Sequence, residues 1–112
     1  MTVTAKVLVP AKIVESSQTT QYTSTGVKTI IDKFTATNYS GSTATISVNI
    51  VTVSDTSGDD NLVTKTKSLQ PSEVYTFPEL VGQVMEAGDF ISTIAGTATA
   101  INMRVSGRQI TS

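Results

Sequence analysis

The sequence predicts an all-β fold, a single-domain antiparallel β-sandwich of about eight or nine short strands. Threonine, serine, valine and isoleucine make up much of the chain, and the β-branched residues among them fit a pleated sheet better than a helix. Apolar and polar residues alternate in short stretches, which is the pattern of half-buried strands. Clusters of Gly, Pro, Asp, Asn and Ser separate these stretches at intervals of about 8–12 residues, as in a sandwich or barrel.

The whole chain, residues 1–112, is predicted to form one domain, because its length suits one modest hydrophobic core. Residues 1–10 are either an N-terminal arm or an edge strand of that domain. Apolar side chains alternate along this segment, and Pro10 is expected to end it. Because terminal strands often dock on a neighbouring subunit, the segment supplies the candidate partner interface. Its residues are Thr2, Val3, Ala5, Val7 and Val9.

A polar segment, residues 16–24, precedes a more apolar one, residues 27–38. Residues 16–24 are rich in Thr and predict a long loop or an edge strand. Residues 27–38 predict a strand in which Ile30, Phe34 and Ala36 share one face. Asp32 has the same parity, so its carboxylate is expected to point inward beside a cation. The candidate cations are Lys28, Lys33 and Arg104.

The remaining strands follow a turn at 38–42. Residues 44–50 show the clearest alternation, and the change of parity at Ile50–Val51 predicts a β-bulge or a move to the other sheet. Residues 79–85 are the one candidate for a helical turn. Ser106–Gly107 is expected to break the last strand. Further strands are predicted at 62–69, 74–77, 90–95, 98–105 and 108–111, with turns at 70–73 and 86–89 and a polar loop at 55–61.

The side chains that most active sites use are missing from the chain. The sequence contains no His and no Cys, which removes the usual general base, the commonest metal ligands and the thiol nucleophile. We therefore expect a structural or binding protein that is not an enzyme and uses no cofactor. The net charge of −1 offers no basic stripe for nucleic acid, and the apolar run Val7–Val9 is far too short to span a bilayer.

One acidic cluster, at residues 55–60, is a weak candidate for a metal site. Asp55, Asp59 and Asp60 supply the hard oxygen ligands that Ca²⁺ prefers. Their spacing does not match an EF-hand, because Gly58 comes too early and no Glu follows at the twelfth position. The alternative is a solvated loop in which Asp and Gly supply turn geometry, and we expect no metal.

Several turns and strand ends resemble those of a known family. They are Pro78–Asp89, Ser68–Glu73, Tyr22–Ser24, Ile31–Lys33, Thr37–Asn38 and Ser106–Gly107, within residues 21–111. In these segments the chain resembles small virion structural proteins of tailed bacteriophages and prophages, of the capsid decoration (cement) type. The resemblance implies a β-sandwich or jelly-roll-like fold. It also implies a location in the virion, after assembly in the cytoplasm of the bacterial host.

The resemblance further implies the kind of partner. A decoration protein binds and stabilises the lattice of the major capsid protein, and symmetric lattices favour a homo-oligomer, either a dimer or a trimer. A neck, collar, tail or fibre protein of the same virion is the first alternative. A carbohydrate-binding adsorption module is the second, and it would need an exposed aromatic row. The tyrosines available for such a row are Tyr22, Tyr39 and Tyr75.

Overall fold

The computed structural model describes residues 1–111 and is built from two antiparallel sheets packed face to face. The all-β sandwich prediction is confirmed, with nine strands and one short 3₁₀ turn at Asp59–Asn61. The strands are β1 Thr2–Ile13, β2 Thr19–Thr23, β3 Lys28–Asn38, β4 Ala44–Val51, β5 Leu62–Leu69, β6 Val74–Tyr75, β7 Val84–Met85, β8 Phe90–Ala95 and β9 Ile101–Thr111.

The strands are connected as a jelly roll. The first sheet has the order β1-β9-β3-β6, with β7 also paired to β3, and the second has the order β2-β8-β4-β5. Pairing is nested along the chain: β1 pairs with β9, β2 with β8, β3 with β6 and β7, and β4 with β5. Such nesting wraps one long hairpin into two sheets, which is jelly-roll topology.

The core lies between the two sheets and is aliphatic except for one aromatic cluster. Phe77 packs its ring 4.5 Å from the rings of both Phe34 and Tyr75. Each large side chain that is fully buried contributes about 2 kcal/mol to folding through the hydrophobic effect. The largest of them are Phe34, Phe77, Ile31, Ile46, Leu69, Leu80, Met85, Ile91, Ile101 and Met103.

The first strand is longer than predicted. We expected Pro10 to end this strand, but β1 continues three residues further, to Ile13. The pairing with β9 shifts register between Val7 and Val9 and again between Val9 and Lys12. As an edge strand, β1 accommodates a proline at this irregular point, where no second strand needs its missing N–H.

Asp32 points outward, contrary to the prediction. The pairing of β3 with β9 shifts register between Ile31 and Lys33, so Asp32 lies in a bulge and the faces exchange on either side of it. Ile31 is therefore buried with Phe34, whereas Asp32 is exposed. Its partner is Arg108 and none of the three predicted cations.

Two further predictions about strand regularity were wrong. β9 runs through Gly107 to Thr111 without a break. β4 pairs regularly with β8 from Ile46 to Val51, and the irregular register lies between β4 and β5 instead. Residues 79–85, the candidate for a helical turn, begin in one turn, in which the Leu80 and Val81 N–H groups donate to the Phe77 carbonyl, and end in β7. The turn at 86–89 was predicted correctly, since Gly88 has a φ of 93°.

Candidate functional site: a free edge and the outer face beside it

The first half of β1 is an open edge of the first sheet. β1 pairs with β9 on one side and, among residues 1–111, has no strand on the other. The register from Thr2↔Thr111 to Val7↔Ser106 is unbroken. Every residue from Thr2 to Val7 is exposed, so this half of the strand is uncovered on both faces. An uncovered, regular edge offers unpaired backbone donors and acceptors to another chain.

The side chains that β1 presents on the outer face of this sheet are apolar. Gln109 of β9 reaches between the sheets and donates from Nε2 to the Tyr22 hydroxyl at 2.8 Å. Neighbours along a strand alternate in direction, so Arg108 and Ile110 point away from the second sheet. Ala5 is the register partner of Arg108, and Val3 is that of Ile110. These two residues of β1, with Val7, therefore lie on the outer face.

The apolar residues continue across the sheet as far as β7. Ala5, Arg108, Ile30 and Val84 lie side by side in one row, because each is the register partner of the next. Val3, Val7 and Val84 are 50%, 43% and 50% exposed. We call this surface the outer apolar patch. Its residues are Val3, Ala5, Val7, Ile30, Val84 and Ile110.

A surface ion pair lies in the middle of the outer apolar patch. The Arg108 guanidinium donates from Nε to both carboxylate oxygens of Asp32 at 3.1 and 3.0 Å, and from Nη2 to Oδ1 at 2.9 Å. These hydrogen bonds, together with the opposite charge, raise the pKa of Arg108. The forked geometry orients the two side chains relative to each other, so the patch has one polar centre.

The predicted interface residues therefore divide into two sets. Val3, Ala5 and Val7 lie on the outer apolar patch, and Thr2 is exposed beside Thr111. Val9 is 2% exposed and packs in the core, so it is not available to a partner, which corrects its place in the predicted interface. The register shift after Val7 turns the strand over and buries Val9. Ile30, Val84 and Ile110 were missed, because only strand pairing places them on the same face of the sheet as Val3, Ala5 and Val7.

The acidic loop is organised by an asparagine. Asn61 donates from Nδ2 to the Thr56 carbonyl at 2.8 Å, and its Oδ1 accepts from the Gly58 N–H at 3.1 Å and from Asn49 Nδ2 at 2.6 Å. Asp55, Asp59 and Asp60 do not converge: among residues 1–111 no group of three such side chains has the geometry to hold a metal ion. The contacts of this loop are those of a hydrogen-bonded turn that is tied to β4 through Asn49.

The three tyrosines do not form a common platform. Tyr22 is partly buried against the core, and its hydroxyl lies 2.7 Å from the Thr29 hydroxyl. Tyr75 also packs on the core, whereas Tyr39 is 50% exposed. An aromatic row that could stack on a sugar is therefore not assembled by these residues.

One carboxylate ties the two sheets together. Glu79 accepts hydrogen bonds from the Thr64 hydroxyl of β5 and, at 2.7 Å, from the Tyr75 hydroxyl of β6. Partial burial opposes ionisation of Glu79, but these two hydrogen bonds and the nearby Lys67 outweigh it and lower the pKa of the carboxyl. The hydrogen bond to Glu79, burial and the negative charge raise the pKa of Tyr75 to about 12.

Comparison of the chain with models of protein families, with curated proteins and with solved structures gave no match. Residues 1–111 contain no helix that has the length and apolar character needed to cross a membrane.

Proposed function

We propose that this chain is a structural component of a bacteriophage virion, a capsid decoration protein that binds and stabilises the lattice of the major capsid protein. The observation that carries the proposal is the outer apolar patch beside the free edge of β1. An exposed apolar patch that includes an arginine is typical of a protein–protein contact. We propose that the protein acts through this surface and not through catalysis.

The fold supports the same proposal. Jelly rolls recur in the proteins of viral capsids, although they also occur in lectins and cupins. A cupin-type metal centre needs ligands that this chain lacks, since it has no His and no Cys. The scattered tyrosines give the lectin-like alternative little support. A neck, collar, tail or fibre protein would use the same kind of surface and remains the alternative within the virion.

Counting copies of the chain in purified virions tests the proposal. A decoration protein follows the capsid lattice, so we expect hundreds of copies, in a simple ratio to the major capsid protein. A ring at a single vertex or in the tail would contain about five to a dozen copies. That lower count would move the chain to the neck or tail, and virions without the chain would overturn the virion role.

A matched pair of variants tests the surface itself. Val84→Asp places a charge in the outer apolar patch, and we expect it to weaken binding to capsid shells that lack the chain by at least tenfold. Val53→Asp is the control, because Val53 is equally exposed, at 50%, and lies in the loop after β4. Equal binding by the two variants would show that the patch is not the contact.

A further inference from the structure

The open edge of β1 differs from the other sheet edges of this fold. β6 and β7 have two residues each, and β2 and β5 shift register against their partners. The second half of β1 contains Pro10 and two register shifts. Short strands, prolines and bulges are the usual means by which proteins block pairing at an edge. Within residues 1–111, Thr2–Val7 is the long edge that none of these devices protects; lysines also block edges, and Lys6 is the one charged side chain of this segment.

We propose that Thr2–Val7 pairs with the same segment of a second copy, antiparallel, about a two-fold axis at Ala5. This pairing joins the first sheets of two copies into one continuous sheet. It does not depend on the virion role, because it follows from the composition of the strand. A two-fold contact uses the same surface twice, so the strand has to be complementary to itself.

The alternation of the strand favours this register over its neighbours. Centred on Ala5, Val3 of each copy lies opposite Val7 of the other, and Thr4 lies opposite Lys6, so apolar meets apolar and the lysines are apart. A shift of one residue would place Val3 opposite Lys6. Centring on Lys6 would place the two ammonium groups directly opposite each other, which is destabilising. Centring on Thr4 would set Val7 opposite Met1, which lies outside the strand.

The joined sheet changes the outer apolar patch. Val3, Ala5 and Val7 of the two copies become neighbours, and the two patches merge into one band that crosses both copies. The paired segment is about 20 Å long. A stable interface usually buries at least about 1,200 Å², and one pair of six-residue strands buries less than that. We therefore expect a reversible dimer whose population rises with concentration.

Cysteine cross-linking tests the pairing cleanly, because the chain contains no Cys. Directly opposite residues of an antiparallel pair have Cα atoms about 4.5–5.5 Å apart, which is within the range that a disulfide spans. Ala5→Cys is expected to give a covalent dimer under mild oxidation. Val84→Cys, on the same face but at the opposite edge of the sheet, is the control and is expected to stay monomeric. Equal cross-linking of the two variants would overturn the pairing.

The register has its own test. In a dimer of Val3→Cys alone, or of Val7→Cys alone, the thiols of the two copies lie four residues apart along the paired strands, which is about 14 Å. A mixture of the two variants brings the thiol of one directly opposite the thiol of the other. We expect a covalent dimer from the mixture and little from either variant alone. Cross-linking of either variant by itself, equal to that of the mixture, would overturn the axis at Ala5.

Charge variants test the pairing without oxidation. Thr4→Glu creates two attractive pairs with Lys6, and Thr4→Lys creates two repulsive ones. We expect the dimer Kd, measured by sedimentation equilibrium at low salt, to fall about fivefold in the first variant and to rise about fivefold in the second. A wild-type chain that is monomeric at every concentration, or trimeric, would overturn this proposal. Neither result would alter the copy number that tests the virion role.

Discussion

Gly107 shows how one residue sets the spacing of three strands. It lies in β9 between β1 and β3, and a Cβ added there would come within 2.2 Å of the Ile30 carbonyl oxygen and 2.9 Å of the Leu8 side chain. The carbonyl belongs to the backbone of β3, so it cannot move aside as a side chain can. Glycine is required here for close approach of the backbones, since its φ is not positive.

Replacement of this glycine is therefore expected to be costly. We predict that Gly107→Ala lowers the free energy of unfolding by about 3 kcal/mol, because the strands have to separate to admit the methyl group. Gly41→Ala is the control, since a Cβ there would meet no atom within 4 Å. Urea denaturation of the two variants provides the measurement. Equal midpoints would show that β9 relaxes around the methyl group without cost.

At the scale of the element, β1 is two half-strands with different roles. The half up to Val7 has both faces in solvent, whereas Leu8 and Val9, at the first register shift, reach the core. Two valines of this strand therefore differ in energetic importance. Val9→Ala is predicted to cost about 2 kcal/mol of stability, through lost burial and the cavity that remains.

Val3→Ala, at a position 50% exposed, is expected to change stability by less than about 0.5 kcal/mol. The same denaturation experiment measures both variants, and the chemical change is identical. If the two valines had equal effects, the division of β1 at its register shift would be incorrect.

Most strands could be predicted from the sequence, but which of their residues face the core could not. Alternation located the longer strands to within a few residues, because burial on one face imposes a period of two. The bulges at Asp32 and after Val7 reverse that period without a signal of their own. From its neighbours in sequence alone, Gly107 predicts a break in the strand. In the structure, the close approach of β3 requires a glycine at this position. The free edge was within reach of the sequence through its alternating apolar residues, whereas Val84 and Ile110 join the patch only through the topology.

At the scale of the whole molecule, Glu79 links the stability of the sandwich to pH. Its pKa is lowered in the folded protein, so the unfolded state binds more protons as the pH falls through the ordinary value of 4.5. The stability contributed by Glu79 is therefore present above that pH and lost below it. We predict that Glu79→Gln lowers the urea midpoint at neutral pH and makes its fall in acid shallower.

Thr64→Val removes one of the two hydrogen-bond donors to Glu79 and is expected to give an acid dependence between those of the wild type and Glu79→Gln. If the urea midpoint of Glu79→Gln fell in acid as steeply as that of the wild type, other carboxylates would control acid unfolding.

Tyr75 provides the complementary prediction in alkali. The unfolded state loses the phenol proton near the ordinary pKa of 10.0, whereas the folded state keeps it until about 12. The folded state thus binds more protons between these values, and stability falls as the pH rises through this window. Tyr75→Phe is expected to abolish that part of the fall. Titration of the tyrosinate absorbance in the wild type and in Tyr75→Phe would show which absorbance change belongs to Tyr75. If stability fell equally in alkali in both proteins, Tyr75 would not be the cause of that fall.

The pairing of β1 with β9 has a practical consequence for engineering. Thr2 and Thr111 are register partners at the same corner of the first sheet. A peptide tag or a reporter domain fused at either position would emerge at that corner, and a short linker would connect the two positions for circular permutation. A bulky fusion there would also stand beside the free edge of β1 and obstruct it, whereas an insertion in the loop at residues 55–58 would leave it accessible.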